Sequence, residues 1–135
     1  MGILYSIFGK ERNMKYPFRR RHRISGRGEI GSIFRIGLRA GDGRLLVIGW
    51  ANGREDGRVR GAVLVSKRHG NAVRRNRIKR LAREALRLER DRLPAGFDFL
   101  LLPRAGVEHT LTDLRTSLPA LAKRVARKNE LREHE

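Results

Sequence analysis

The segment from Lys67 to Arg83 carries eight basic residues and no acidic residue, yet apolar residues recur through it at helical spacing. On a helical wheel of about 100° per residue, one side of this segment and its continuation is apolar and comprises Ile78, Leu81, Ala82, Ala85 and Leu88. The opposite side is polar and basic, and comprises Asn76, Lys79, Arg80, Arg83, Arg87 and Arg90. Such a helix must dock its apolar stripe on another layer of the protein and present a positive face to a partner.

A solvated helical face normally mixes its charges, because opposite pairs four residues apart stabilise a helix by about 0.2–0.5 kcal/mol and like pairs cost a similar amount. Here Lys79, Arg83 and Arg87 form like pairs, and the acids Glu84 and Glu89 fall outside the basic face. Three arginines near the first turn also oppose the helix dipole, at about 0.3–1 kcal/mol each, and these are Arg74, Arg75 and Arg77. The arrangement therefore favours a helix that binds phosphate over a plain solvated face.

The composition points the same way. The net charge is +18, and Arg outnumbers Lys by 26 to 6. The planar guanidinium binds phosphate bidentately and stacks on bases, whereas the Lys ammonium is a point charge, although a G+C-rich genome also favours Arg codons. A polyanion is thus the expected partner, with nucleic acid preferred over an acidic membrane surface.

Other classes of protein are excluded or disfavoured. The chain contains no cysteine, so it has no disulfide framework, no thiolate nucleophile and no cysteine-based zinc site. No apolar run approaches the roughly 18 residues that span a bilayer, and the N-terminal ILYSIF lacks the flanks of a signal peptide. We therefore expect a cytoplasmic protein without a membrane partner.

The 135 residues suit one domain. We expect residues 1–17 to form a weakly ordered N-terminal extension, residues 18–126 a single RNA-binding α/β domain, and residues 127–135 a charged C-terminal tail that frays. A basic patch, FRRRHRI, opens the domain at 18–24.

Hydrophobic periodicity and turn residues predict six elements. They are a short helix ending near Gly37, strands at 44–51 and 58–66, a helix from Ala72 to about Leu93 capped by Asn71, a strand at 97–103, and a helix at 111–126 that Pro119 kinks or splits. The turn residues at 52–57 predict that the second strand returns antiparallel to the first. This order indicates an α+β fold, a two-layer α/β sandwich with one sheet and helices packed on it.

The stretch VSKRHGNAVRRNRIKRLARE, Val65–Glu84, closely resembles the signature of the bacterial ribonuclease P protein component. That signature reads S-K-x-x-G-x-A-V and then R-N-R-x-K-R-x-x-R-E, and the matching positions are Ser66, Lys67, Gly70, Ala72, Val73, Arg75, Asn76, Arg77, Lys79, Arg80, Arg83 and Glu84. A looser resemblance spans roughly residues 18–125, in which RISGRGEIGSIFRIG resembles the first helix of the family and FDFLLLPRAG the strand after the signature helix.

The resemblance implies a function. Proteins of this family are the small partner of a catalytic RNA, and the complex is an endoribonuclease that removes the 5′ leader of precursor tRNA with magnesium as cofactor. The implied partners are ribonuclease P RNA, in a 1:1 complex, and precursor tRNA. The resemblance also implies a mixed sheet with an uncommon left-handed βαβ crossover, contrary to the usual right-handed preference.

Site residues carry over by position. The signature helix and the loop before it imply contacts to the catalytic RNA by Lys67, Arg68, Asn71, Arg74, Arg75, Asn76, Arg77, Lys79, Arg80, Arg83 and Arg87. A cleft between the first helix and the sheet implies leader contacts by Ile30, Phe34, Ile48, Lys67 and Arg68. The family often has aromatic residues at the positions of Ile30 and Ile48, so Phe34 is the expected stacking platform.

The residues offer little chemistry of their own. GRGEIG at 26–31 has the G-x-G-x-x-G spacing, but it follows no buried strand and lacks the acid that a dinucleotide site needs. The four histidines, His22, His69, His109 and His134, are scattered, and the acids are too dispersed for a two-metal nuclease. We therefore predict no catalytic residue and no metal site in this chain; His69 is either a phosphate contact or a plain loop residue.

Two other functions fit a basic chain of this size. One is a different structural RNA-binding protein, such as a ribosomal protein, which would sediment with ribosomes. The other is a DNA-binding module with the basic helix in a major groove, which would prefer duplex DNA to structured RNA.

Overall fold

The computed structural model describes residues 22–24 and 26–133. Its helices and strands are α1 (Arg27–Ile36), β1 (Leu38–Gly41), β2 (Leu45–Ala51), β3 (Arg60–Val63), α2 (Ala72–Glu89), β4 (Phe97–Pro103) and α3 (Leu111–Glu133). Short 3₁₀ turns at Lys67–His69 and Arg90–Arg92 flank α2. The predicted extension at 1–17, most of the basic patch and His134 lie outside the described residues.

The strands form one mixed sheet in the order β1-β2-β4-β3. β1 pairs with β2 and β2 with β4 in antiparallel fashion, whereas β3 pairs with β4 in parallel. β4 occupies a central position because it is apolar on both faces, with Phe99 and Leu101 on one side and Leu100 on the other. The α+β prediction is confirmed; the left-handed sense of the β3–α2–β4 crossover stays a prediction.

Helices cover both faces of the sheet. On one face α2 and α3 pack against β2 and β4, and Leu86, Phe99 and Leu118 are completely buried there. On the other face α1 packs Ile30 and Ile33 against a smaller apolar cluster. The larger layer supports α2, and the smaller layer leaves part of the sheet uncovered beside α1.

The second predicted strand runs antiparallel to the first, as predicted, since β2 is antiparallel to β4 and β3 is parallel to it. β3 is not hydrogen-bonded to β2, however, because the more apolar β4 lies between them. The residues at 52–57 therefore form a connection across the end of β4 rather than a hairpin. The strand β1 was missed, although Asp42-Gly43 is a recognisable hairpin turn. Asp42 Oδ1 accepts hydrogen bonds from the backbone N–H groups of Arg44 at 2.8 Å and Leu45 at 2.9 Å, which closes that turn.

The last helix is longer than predicted. It runs unbroken through Pro119 and continues to Glu133, so the expected split is absent and the predicted tail is helical as far as it is described. Buried Leu118 and Leu121 hold the proline turn against the sheet. Beyond it, Lys128 Nζ donates to Arg39 O, and Arg124 donates to Gly41 O at 3.3 Å. These cations cap carbonyl groups of the edge strand β1 and hold the end of α3 in place.

A buried ion network fixes α1 on the sheet. Arg60 on β3 donates through Nε to Asp98 Oδ1 at 2.9 Å and through its terminal nitrogen to Glu29 of α1. Asn52 Nδ2 donates to the same Asp98 oxygen at 3.0 Å. The hydrogen bond to Asp98 raises the pKa of Arg60 despite its burial. Because the network joins α1 to two strands, it sets the position of α1 beside the uncovered part of the sheet.

Candidate nucleic-acid interface

Two caps define the start of α2. Ser66 Oγ accepts from Arg68 N at 3.3 Å and opens the 3₁₀ turn, and Asn71 Oδ1 accepts from Arg74 N at 3.0 Å and opens the helix. Gly70 joins the two turns with φ of 109°, where a Cβ atom would lie 2.9 Å from Arg74 Cδ. The local sequence S-x-x-x-G-N therefore encodes a sharp entry that turns Lys67 and Arg68 toward the first turns of the helix.

His69 ties this entry to the sheet. Its Nε2 lies 2.5 Å from Pro103 O, and its Nδ1 lies 3.0 Å from Ser66 N. A carbonyl only accepts, so Nε2 carries the hydrogen and Nδ1 accepts from the Ser66 N–H. Both ring nitrogens are thus engaged within the protein, and His69 is a structural anchor rather than a phosphate contact.

The exposed part of the entry and of α2 forms a positive surface. Its members are Lys67, Arg68, Asn71, Arg74, Asn76, Arg77 and Arg80, which are exposed, and Arg75 and Lys79, which are half-buried. We call these nine residues the basic surface. Within the described residues, none of its cationic side chains forms an ion pair with a carboxylate. These positive charges are therefore available to bind an anionic partner.

The pKa of Lys79 is lowered by its surroundings in the basic surface. Partial desolvation lowers the pKa of Lys79, and the positive charges of Arg83 and Arg75 lower it further. Neighbouring cations thus oppose one another in the free protein. A bound anion would relieve that repulsion.

Two predicted members of the RNA-binding set do not belong to the basic surface. Arg83 is 8% exposed and Arg87 is 3% exposed, and Arg87 Nε donates to Glu84 Oε2 at 3.1 Å. The helical wheel predicted the wrong boundary for the buried side of α2. In the structure this side includes Leu86 and Glu89, so Arg83 and Arg87 lie next to it and are buried as well. The assignment of Arg83 and Arg87 as accessible RNA contacts is therefore corrected.

The buried side of α2 also holds a carboxylate. Glu89 is 2% exposed, and its Oε2 accepts from Arg115 Nε of α3 at 2.6 Å. Arg92 donates to the other oxygen of Glu89 at 3.4 Å. Glu89 thus pins α2 to α3 and belongs to the packing of the helix layer.

An open groove lies between α1 and the uncovered part of the sheet, next to the basic surface. Its apolar lining comes from three neighbouring strands: Leu46 of β2, Leu102 of β4 and Leu64 directly after β3. Leu46 and Leu102 are paired in the sheet register. Phe34 stands at one side and Arg68 at the end nearest α2. The groove encloses about 450 Å³ and combines an apolar lining with cations at its end.

The predicted leader residues divide into two groups. Phe34 and Arg68 line the groove, and Lys67 is exposed beside it. Ile30 is 3% exposed and Ile48 is fully buried, and both belong to the core beneath α1. Burial corrects their assignment as leader contacts, because a ligand in the groove does not reach them.

Arg39 joins Phe34 in a pair that sequence reasoning missed. The Arg39 guanidinium carbon lies 4.9 Å from the centroid of the Phe34 ring, and Arg39 donates to Phe34 O at 2.8 Å. The contact depends on β1, which places Arg39 beside the end of α1. The three groove leucines were also missed, although their alternation with the other apolar residues of each strand indicates one face of a sheet.

Neither a metal centre nor a membrane span is found in the part of the chain that the structure describes. Residues 22–24 and 26–133 contain no cluster of three or more His, Cys, Asp or Glu side chains that could hold a metal ion. Within the same residues, no helix has the length and apolar character needed to cross a bilayer.

Comparison with known proteins identifies relatives over most of the chain. A family model described as Ribonuclease P matches residues 18–126. The "Ribonuclease P protein component" of Brevibacillus brevis is 37% identical over 109 residues, which cover 78% of this chain and 83% of that protein. The protein of the same name from Bacillus cereus is 33% identical over 112 residues, covering 82% and 93%.

Solved structures show the same architecture. The ribonuclease P protein from Thermotoga maritima superposes with a TM-score of 0.68 at 28% identity, covering 76% of this chain and 96% of that one. A ribonuclease P protein structure from Staphylococcus aureus gives a TM-score of 0.62 at 28% identity, covering 74% and 91%. The mixed four-stranded sheet and its three helices thus match these structures.

Proposed function

The chain belongs to the ribonuclease P family as its protein component, and we propose that it binds the catalytic RNA through the basic surface and the 5′ leader of precursor tRNA in the groove beside α1. Family membership supports a role in tRNA processing with ribonuclease P RNA as partner.

The observation that carries the proposal is the set of cations on α2 and its entry that have no acidic partner among the described residues. Arg77 and Arg80 are exposed on the same stretch of helix, and Asn76, which precedes Arg77, offers an amide that can bind a base edge or a 2′-hydroxyl. Guanidinium groups bind phosphate in a bidentate manner, and each phosphate neutralised on a duplex adds about −0.9 to the salt slope of binding. The basic surface therefore suits the backbone of a folded RNA.

The groove suits a single strand. Stacking of a base on an aromatic ring is worth about 1–3 kcal/mol, and Phe34 provides such a ring with Arg39 on it. The groove leucines offer apolar contact to further bases. Arg68, at the end of the groove, is placed to bind a phosphate of the same strand. A 5′ leader passing through the groove would reach the basic surface at Arg68, which belongs to both sites.

We propose that hydrolysis belongs to the RNA and that magnesium acts with the RNA subunit. The described residues of this chain do not fit a metal ion, since they contain no suitable cluster of ligands. The contribution of the protein is to screen repulsion between two polyanions and to hold the leader. With one basic surface on one domain at 18–126, we propose a 1:1 complex that works in the cytoplasm.

Reconstituted cleavage tests this function. The full-length protein is added to a bacterial ribonuclease P RNA, and release of the 5′ leader from precursor tRNA is followed at a magnesium concentration too low for the RNA alone. We expect the protein to restore cleavage. A folded protein that gives no gain in cleavage, or that sediments with ribosomes instead, would contradict the proposal.

A further inference from the structure

A second cavity lies on the other side of Arg68 and His69 from the groove. One wall is formed by the 3₁₀ turn and the first three turns of α2, and the other by the loop 104–109 between β4 and α3. We propose, on the basis of the function above, that this cavity binds one phosphodiester group of the catalytic RNA. The loop 104–109, outside the signature helix, would thus be part of the RNA interface.

The charge of the cavity argues for an anion. Arg68, Arg74 and Arg77 line it, and none of the three has an ion pair or a side-chain hydrogen bond within the described residues. Glu108 is the only acid in the lining, and it is exposed. Three guanidinium groups around one cavity of about 490 Å³ repel one another until an anion is placed among them.

Two histidines hold the loop: His69 ties its start to the entry of α2, and His109 closes the loop on itself. His69 donates to Pro103 O at 2.5 Å, and His109 Nε2 lies 2.8 Å from Arg104 O, to which it must donate. The cavity wall is therefore built on a backbone that is held at two successive carbonyl groups. A site held in this way loses little conformational entropy when it binds.

His109 adds a second, independent observation. It lines the cavity, its side chain is 5% exposed, and its Nδ1 has no hydrogen-bond partner among the described residues. Buried polar atoms are almost always satisfied by protein, water or ligand. A phosphate oxygen in the cavity would satisfy this nitrogen with the ring as an imidazolium, which donates through Nε2 to Arg104 O and through Nδ1 to the phosphate.

The cavity and the groove adjoin. They share Arg68, His69, Arg104 and Ala105, which form the ridge between them. Arg104 donates through Nε to Asp42 O, so its guanidinium is engaged away from the three cavity arginines. Arg68 is thus the cation placed to contact both a phosphate in the cavity and a strand in the groove.

Glu108 provides a variant that should improve binding. Glu108→Gln removes the one carboxylate of the lining, and its side chain makes no contact that holds the fold in the described residues. Glu130→Gln on the exposed surface of α3 is the matched control with the same change in net charge. Val107→Asp, at a residue 39% exposed in the loop, introduces an opposing charge, with Leu131→Asp on α3 as its control.

The first measurement is a titration of the full-length protein with inorganic phosphate at constant ionic strength, followed by NMR. We expect saturable shifts at the amides of Gly106 and Val107 and at the Nε–H groups of Arg74 and Arg77. Glu108→Gln should tighten the phosphate affinity by about threefold, and Val107→Asp should weaken it by about the same factor. The α3 variants should leave it unchanged.

The second measurement is the affinity of the same variants for ribonuclease P RNA. We expect the same order of affinities as with phosphate. Equal effects of Glu108→Gln and Glu130→Gln on phosphate binding would overturn the proposal. Phosphate binding without any change in RNA affinity would also overturn it and would leave an adventitious ion only. Failure of the proposed function would appear separately, as absence of cleavage with the unmodified protein.

Discussion

At the scale of single residues, Lys79 is the titratable cation placed among guanidinium groups that stay charged. Desolvation and the charges of Arg83 and Arg75 lower its pKa in the free protein, and bound phosphate should raise that pKa again. RNA binding is then linked to proton uptake, so affinity should fall as pH rises through the lowered pKa toward the ordinary value of 10.5.

The measurement is RNA affinity over an alkaline pH series, with Lys79→Arg as the control, because this variant keeps the charge and does not titrate. The pH slope of the wild type should exceed that of Lys79→Arg. Identical slopes for the two proteins would show that Lys79 does not face RNA phosphate.

Phe34 is tested by its selectivity between substrates. Phe34→Ala should weaken binding of leader-bearing precursor tRNA by about 1–3 kcal/mol and leave mature tRNA unchanged, because only the leader stacks in the groove. Ile36→Ala, at an exposed position near the end of the same helix, is the control. Equal losses for both tRNAs would place Phe34 in a structural role.

The residue scale also shows the limit of sequence reasoning about the site. Most of the basic surface could be predicted, because a uniformly positive face is visible on a wheel. Arg83 and Arg87 were misplaced because the wheel does not show that the helix packs along Leu86 and Glu89. Ile30 and Ile48 were transferred by position, and only packing shows that they are buried in the contact between α1 and the sheet.

At the scale of elements, the buried network of Arg60, Asp98 and Glu29 positions α1. Arg60→Met leaves the buried Asp98 carboxylate without its cation, which should lower the free energy of unfolding by about 3–5 kcal/mol. Arg58→Met, which breaks the more exposed pair with Asp56, is the control and should cost much less.

Denaturant unfolding of both variants checks this prediction, and leader affinity reports the position of α1 in any Arg60 variant that stays folded. A loss for Arg60→Met no larger than that for Arg58→Met would contradict the role of the network.

The elements themselves were largely predictable from periodicity, and their arrangement was not. The strand at 97–103 and the start of α2 at Ala72 agree with the structure. The sheet order depends on which strand is apolar on both faces. Phe99 and Leu100 lie on opposite faces of β4, and its central place between β2 and β3 follows only once the strand pairing is known. The helical residues beyond 126 depend on Lys128 and Arg124 reaching the edge of β1, a long-range contact that no local pattern contains.

At the scale of the whole molecule, a net charge of +18 opposes compaction. Anions that bind the folded state should therefore stabilise it by mass action, beyond general screening. We expect sulfate to raise Tm more than chloride does at equal ionic strength, as followed by circular dichroism. Equal rises in the two salts would mean that screening alone acts and that the folded protein has no preferred anion site.

The salt dependence of RNA binding tests most directly whether the basic surface holds the catalytic RNA. The measurement compares the wild type with Arg77→Ala/Arg80→Ala and with the control Lys123→Ala/Arg127→Ala, which removes two exposed cations of α3. We expect the α2 variant to flatten the slope of log affinity against log salt by about 1.4–1.8, close to one phosphate contact per residue, while the α3 variant keeps the wild-type slope. An α2 variant with an unchanged slope would contradict the assignment of α2 as the RNA-binding face.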